Sequence, residues 1–146
     1  MTRDFQRSKV YRWENEVLRD DPHNWKLDTL DECRILVEKI WLREGIHKPY
    51  PKLGDGRSRR SAVSLGGEIR LPRCGKMDDP HYMRTAVVIC HEISHEMLHG
   101  RVPMVRHTED FVSTFITVLN NNLGISKDAL IETAMDFKVK MNHDLL

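Results

Sequence analysis

Residues 86–100 read AVVICHEISHEMLHG. The uncharged run Ala86 to Cys90 leads into His91-Glu92-Ile93-Ser94-His95. Met83, Ala86 or Val87, Cys90, Ile93 and Met97 recur at helical spacing, which predicts a helix with one buried stripe. Asp79-Pro80 offers an N-cap followed by proline at the first helical position. The helix is therefore expected over residues 80–99, with Gly100 just past its end. Four residues along a helix rise about 6 Å and return to the same face. His91 and His95 can then converge on one metal, at about 2.0–2.1 Å from each nitrogen if the metal is zinc. Glu92 stands one position on, beside such a metal and free to take a proton from a water there. With eight histidines in the chain, an HExxH pattern arises by chance only about 0.03 times, so coincidence explains it poorly.

The same stretch holds a second, overlapping pattern, His95-Glu96-Met97-Leu98-His99. His91 and His99 lie about 12 Å apart along a helix axis, too far for one zinc. Only one register can be a site. The first lies deeper in the apolar helix and is preferred. His99 is then a neighbour of the site or a cation near the helix C-terminus. A catalytic zinc takes a third protein ligand and leaves a position open. His107 is the expected third ligand, because it follows a loop just long enough to fold back. Glu109 and Asp110 are the carboxylate alternatives, although acidic residues also suit a helix start for its dipole. Tyr82, His99 and Arg106 are candidates for transition-state or supporting roles. The cofactor expected is Zn2+.

Outward from this centre, Phe5, Val10, Trp13, Val17 and Leu18 predict a helix over 4–19, ended by Asp20, Asp21 and Pro22. Asp28 is the expected N-cap of a second helix, whose stripe is Leu30, Cys33, Val37, Ile40 and Trp41 and whose stop is Gly45. Residues 46–60 read as loop. SAVSLGGEIRLP, residues 61–72, predicts a hairpin turning at Gly66-Gly67. Glu109 and Asp110 open a helix ending at Gly124, and Ser126 and Asp128 begin a last one, expected to run almost to the C-terminus. The fold class expected is α+β, helices packed on a small sheet with a hairpin before the HExxH helix, in a single domain spanning residues 1–146.

Composition narrows the class. The chain has 146 residues, 40% hydrophobic and 31% charged, with a formal net charge of +1. That is enough for one globular core, and it gives no overall field demanding nucleic acid. No apolar run approaches the length of a membrane span. The opening MTRDFQRSKVYRWENE has no apolar segment of the secretory kind. Three widely spaced cysteines, Cys33, Cys74 and Cys90, suit a reducing compartment better than a disulfide framework. A cytoplasmic location and no membrane association are therefore expected.

HEISH followed by His107-Thr108-Glu109-Asp110-Phe111 resembles the SprT-like zinc peptidases. In these, HExxH is followed by His-Gly-Pro-Glu-Phe at the start of the next helix. His107 and Phe111 match in place; the Gly and Pro do not. The chain more closely resembles a family of small bacterial and phage zinc metallohydrolases of the HExxH zincin type. Asp4-Phe5-Gln6-Arg7-Ser8-Lys9-Val10-Tyr11 with Glu14, Ile69-Arg70-Leu71-Pro72, and HEISH carry that likeness. The resemblance implies a zincin-like fold and peptide-bond hydrolysis on a peptide or protein substrate. It also implies that the strand before the motif helix, within 61–71, edges the cleft. Such an edge can pair with an extended peptide, and a plain structural hairpin is the alternative. Three further readings stand beside this one. Arg57, Arg59, Arg60, Arg70, Arg73 and Lys76 make residues 57–76 basic, so nucleic acid is a possible but less favoured partner. A metal-bound interaction module without turnover is the second. A hydrolase of a small amide or ester, with a narrow pocket, is the third.

Overall fold

The computed structural model describes residues 4–57, 59–99 and 106–146. Among these are five α-helices and a three-stranded mixed sheet, an α+β architecture as the sequence predicts. The chain divides into two compact units, Trp25–Met97 and the combination of Met1–Asn24 with Leu98–Leu146. No helix among the described residues is long and apolar enough to cross a membrane.

The unit Trp25–Met97 contains α2 (Leu30–Arg43), strands β1 (Lys52–Gly54), β2 (Val63–Ser64) and β3 (Glu68–Arg70), and nearly all of α3 (Ala86–Leu98). Helix α2 begins at Thr29, whose side chain accepts from the Glu32 N–H. Thr29 thus replaces the expected cap Asp28, which instead accepts an ion pair from Arg73 at 2.7 Å. Cys33, Val37, Ile40 and Trp41 are buried as their spacing predicts. The hairpin also forms as predicted. Val63 and Ser64 pair antiparallel with Arg70 and Ile69, and Gly66 and Gly67 take φ of 75° and 95°. Side-chain-bearing residues resist two successive positive φ values, and this turn type needs them.

Two expectations in this unit are corrected. Residues 46–60 are not all loop, because Lys52–Gly54 forms β1, parallel to β3. The sheet order is β1-β3-β2, with β3 central. A three-residue strand carries almost no periodicity, and its pairing partner lies far along the chain. The motif helix begins at Ala86 rather than Pro80. Asp79 folds a tight turn instead, accepting from the His81 N–H at 2.7 Å. Residues 83–86 are tied to distant backbone. The Met83 N–H donates to Arg73, the Leu27 N–H to the Arg84 carbonyl, and the Ala86 N–H to Trp25. These bonds satisfy backbone groups that a helix would otherwise have to pair.

The other unit holds α1 (Arg7–Glu16), α4 (Glu109–Leu123) and α5 (Lys127–Asp136). Trp13 on α1 is fully buried. It meets the Phe115 ring edge-on at 5.8 Å and donates its indole N–H to the Thr133 hydroxyl at 3.0 Å. Burying a side chain of this size contributes roughly 1.5–3 kcal/mol, so Trp13 is a principal tie of α1 to α4 and α5. Helix α1 is shorter than the expected 4–19 and is followed by a 3-10 turn, Leu18–Asp20. Helix α4 is capped by the Thr108 side chain and stopped by Gly124 at φ 76°. Helix α5 is capped by Ser126. It stops at Asp136, well short of the C-terminus. Lys138 turns the chain at φ 60°, and Asn142 then lies against α4, its N–H donating to the Ser113 hydroxyl at 2.8 Å. That tertiary bond outweighs the helical periodicity of the last ten residues.

Candidate metal centre

Helix α3 is not the one-sided helix that its spacing suggests. Every residue from Ala86 to Ser94 is buried. A helix enclosed on all sides must satisfy its polar side chains internally. Ser94 does so by donating to the Cys90 carbonyl at 2.7 Å. His91 and Glu92 are 1% and 4% exposed, and His95 keeps part of its surface open. The two imidazoles stand one turn apart, with ring centroids 5.0 Å from each other and planes inclined by 57°. This is the side-by-side arrangement that a four-residue spacing imposes.

His107 precedes the cap of α4 and is 6% exposed. Its Nδ1 lies 2.8 Å from the Asp4 Oδ2. Tyr11 and Phe111 meet its ring edge-on, each with centroids 5.1 Å away. The Gln6 side-chain amide donates to its carbonyl at 3.1 Å. His91 and His95 belong to the unit Trp25–Met97, and His107 to the other unit. Two imidazoles one helical turn apart can share a metal ion. As a ligand, imidazole is a neutral, borderline donor that suits zinc and several other transition metals.

The remaining sequence candidates fall differently. Glu109 and Asp110 are exposed. Asp110 accepts instead from the Asn142 amide at 3.0 Å. His99 is exposed beyond the last turn of α3. Tyr82 is fully buried and its hydroxyl donates to the Leu27 carbonyl. Arg106 lines a cavity of about 410 Å³ together with Asp4, Gln6, His107, Glu109 and Lys140. Of the basic stretch, Arg57, Arg70 and Arg73 are each ion-paired, with Asp55, Glu68 and Asp28.

Glu96 is the residue whose position the sequence does not reveal. It is 3% exposed. Its carboxylate accepts from the Ser64 hydroxyl and from the Gly66 and Gly67 N–H groups, the last two at 2.9 and 2.6 Å. It is thus the anion that gathers the donors of the β2–β3 turn onto α3. The Gly66-Gly67 turn is visible in the sequence, but nothing there says that its N–H groups need a carboxylate thirty residues on. Asp4 is a second such residue, since its tie to His107 spans most of the chain.

No family model, no curated protein and no solved structure matches the chain. The site must therefore be read from its own chemistry.

Proposed function

We propose that this protein is a zinc-dependent hydrolase, a metallopeptidase in the zincin manner, with His91, His95 and His107 as the metal ligands and Glu92 as general base. The side-by-side placement of His91 and His95 on the buried helix α3, with Glu92 next to His91, carries the reading. When bound, zinc supplies a Lewis acid that acidifies a water and polarises a carbonyl. Glu92 is the carboxylate next to the histidine pair on α3, and its burial strengthens its action on a proton. The partly open surface of His95 supports access for substrate. The three bonds accepted by Glu96 favour the first register over the second, because they commit that carboxylate to the hairpin. The ion pairs of Arg57, Arg70 and Arg73 leave less free positive charge for a nucleic acid than the sequence suggests.

The test is metal analysis and turnover on the purified chain. About one zinc per chain is expected, lost in His91→Ala and in His95→Ala. Glu92→Gln should keep zinc and fold while cleavage of an unfolded protein substrate such as casein falls by at least ~10²-fold. Full zinc retention in both histidine variants would remove the site. Zinc binding without turnover in any condition, unaffected by Glu92→Gln, would favour the interaction module.

A further inference from the structure

The N-terminal segment takes part in the fold through one side chain in particular. Asp4 Oδ2 lies 2.8 Å from His107 Nδ1 and 3.5 Å from the His107 backbone nitrogen, so one oxygen faces two nitrogens of the same residue. The Asp4 side chain is only 16% exposed and that of His107 7%, which limits screening by water. An ionised carboxylate accepts and cannot donate. His107 Nδ1 must therefore carry the proton in this bond. The neutral ring then has its lone pair on Nε2, the nitrogen on the opposite side. The rings of Tyr11 and Phe111 hold the imidazole plane from the edges.

We infer that Asp4 is the positioning carboxylate of the metal centre, fixing His107 in the tautomer and orientation that present Nε2 to the ion. This rests on the three-histidine reading proposed above. The physical gain is that His107 arrives as a metal donor already oriented, so less ordering is left for the binding step. A carboxylate behind the ring also makes the metal-facing nitrogen a stronger donor. Gln6 has a separate task. Its amide bonds the His107 and Lys140 carbonyls, both at 3.1 Å, and its oxygen accepts from the Lys140 N–H at 2.5 Å. These bonds are to backbone groups, which makes Gln6→Ala a control for simple loosening.

Zinc affinity is measured on the full chain by competition with a chromophoric chelator, for Asp4→Ala, Asp4→Asn, Gln6→Ala and His107→Ala. Removing a carboxylate behind a ligating histidine should weaken zinc binding by about 10–100-fold. Asp4→Asn keeps an acceptor oxygen for the Nδ1 proton and should recover part of that loss. Gln6→Ala should lower thermal stability at least as much as Asp4→Ala yet change zinc affinity less. Nitrogen-15 spectra of the histidines in the metal-free protein should show His107 protonated at Nδ1 in the wild type, and a mixture of tautomers in Asp4→Ala. If His107→Ala leaves zinc affinity unchanged, the three-histidine reading falls and this one with it. If His107→Ala weakens zinc while Asp4→Ala binds no worse than Gln6→Ala, only the role of Asp4 is overturned.

Discussion

Replacing Glu96 separates the two overlapping HExxH registers by their effect on stability. In the structure its carboxylate accepts from Ser64, Gly66 and Gly67, and the side chain is almost wholly buried. Hydrogen bonds to a charged group are worth roughly 1.5–3 kcal/mol each, but such bonds sharing one acceptor do not add fully. Gly66 and Gly67 are exposed residues, so water can reach their N–H groups once the carboxylate is gone. Glu96→Ala should therefore cost about 2–4 kcal/mol. For a chain of this length that is a fall in Tm of roughly 5–15 °C. Glu96→Gln keeps one acceptor oxygen but turns an amide N–H toward a backbone N–H, and should cost about half as much. The assay is thermal unfolding followed by circular dichroism, with zinc content and turnover on the same preparations. With Glu96 as a structural anchor, Glu96→Gln loses stability, keeps zinc, and retains turnover to within about tenfold. With Glu96 as the base, turnover would fall by ~10²-fold or more while stability held. That second pattern would refute the reasoning and move the site to His95 and His99.

Two further outcomes are expected. His107→Ala should weaken zinc binding strongly and His99→Ala should leave it nearly unchanged, as read by chelator competition; the reverse order would move the site to the His95–His99 register, with Glu96 as the base. Burial, partly offset by the nearby Arg84 guanidinium, pushes the Cys33 thiol up from 9.0 to about 11. The folded state then holds the Cys33 proton more tightly than the unfolded state. The stability it contributes is complete below pH 9 and is lost as pH rises through about 11, amounting to an order of 2–3 kcal/mol. Denaturant titrations across pH 8–11 should show this decline, and Cys33→Ala should remove it; an unchanged slope in the variant would assign the decline elsewhere.

The HEISH motif, its place on a helix and the side-by-side placement of His91 and His95 were legible in the chain, since each rests on spacing within a short segment. The same is true of the hairpin at Gly66-Gly67, the stop at Gly124 and the cap at Ser126. These signals are local: a turn that needs positive φ, a hydroxyl that reaches an N–H three residues on, a ring that returns every fourth residue. Tertiary structure decided the rest. Asp79-Pro80 looks like a helix start, yet residues 83–86 bond to distant backbone and α3 waits until Ala86. Strand β1 exists because β3 offers it an edge. Asp4 and Glu96 are ordinary acidic residues in a charged sequence, and only folding brings one to His107 and the other to the turn at Gly66. Spacing along the chain could propose the ligand set. Asp4 bonds to His107 across 103 residues, and contacts at that range leave no periodic trace in the sequence.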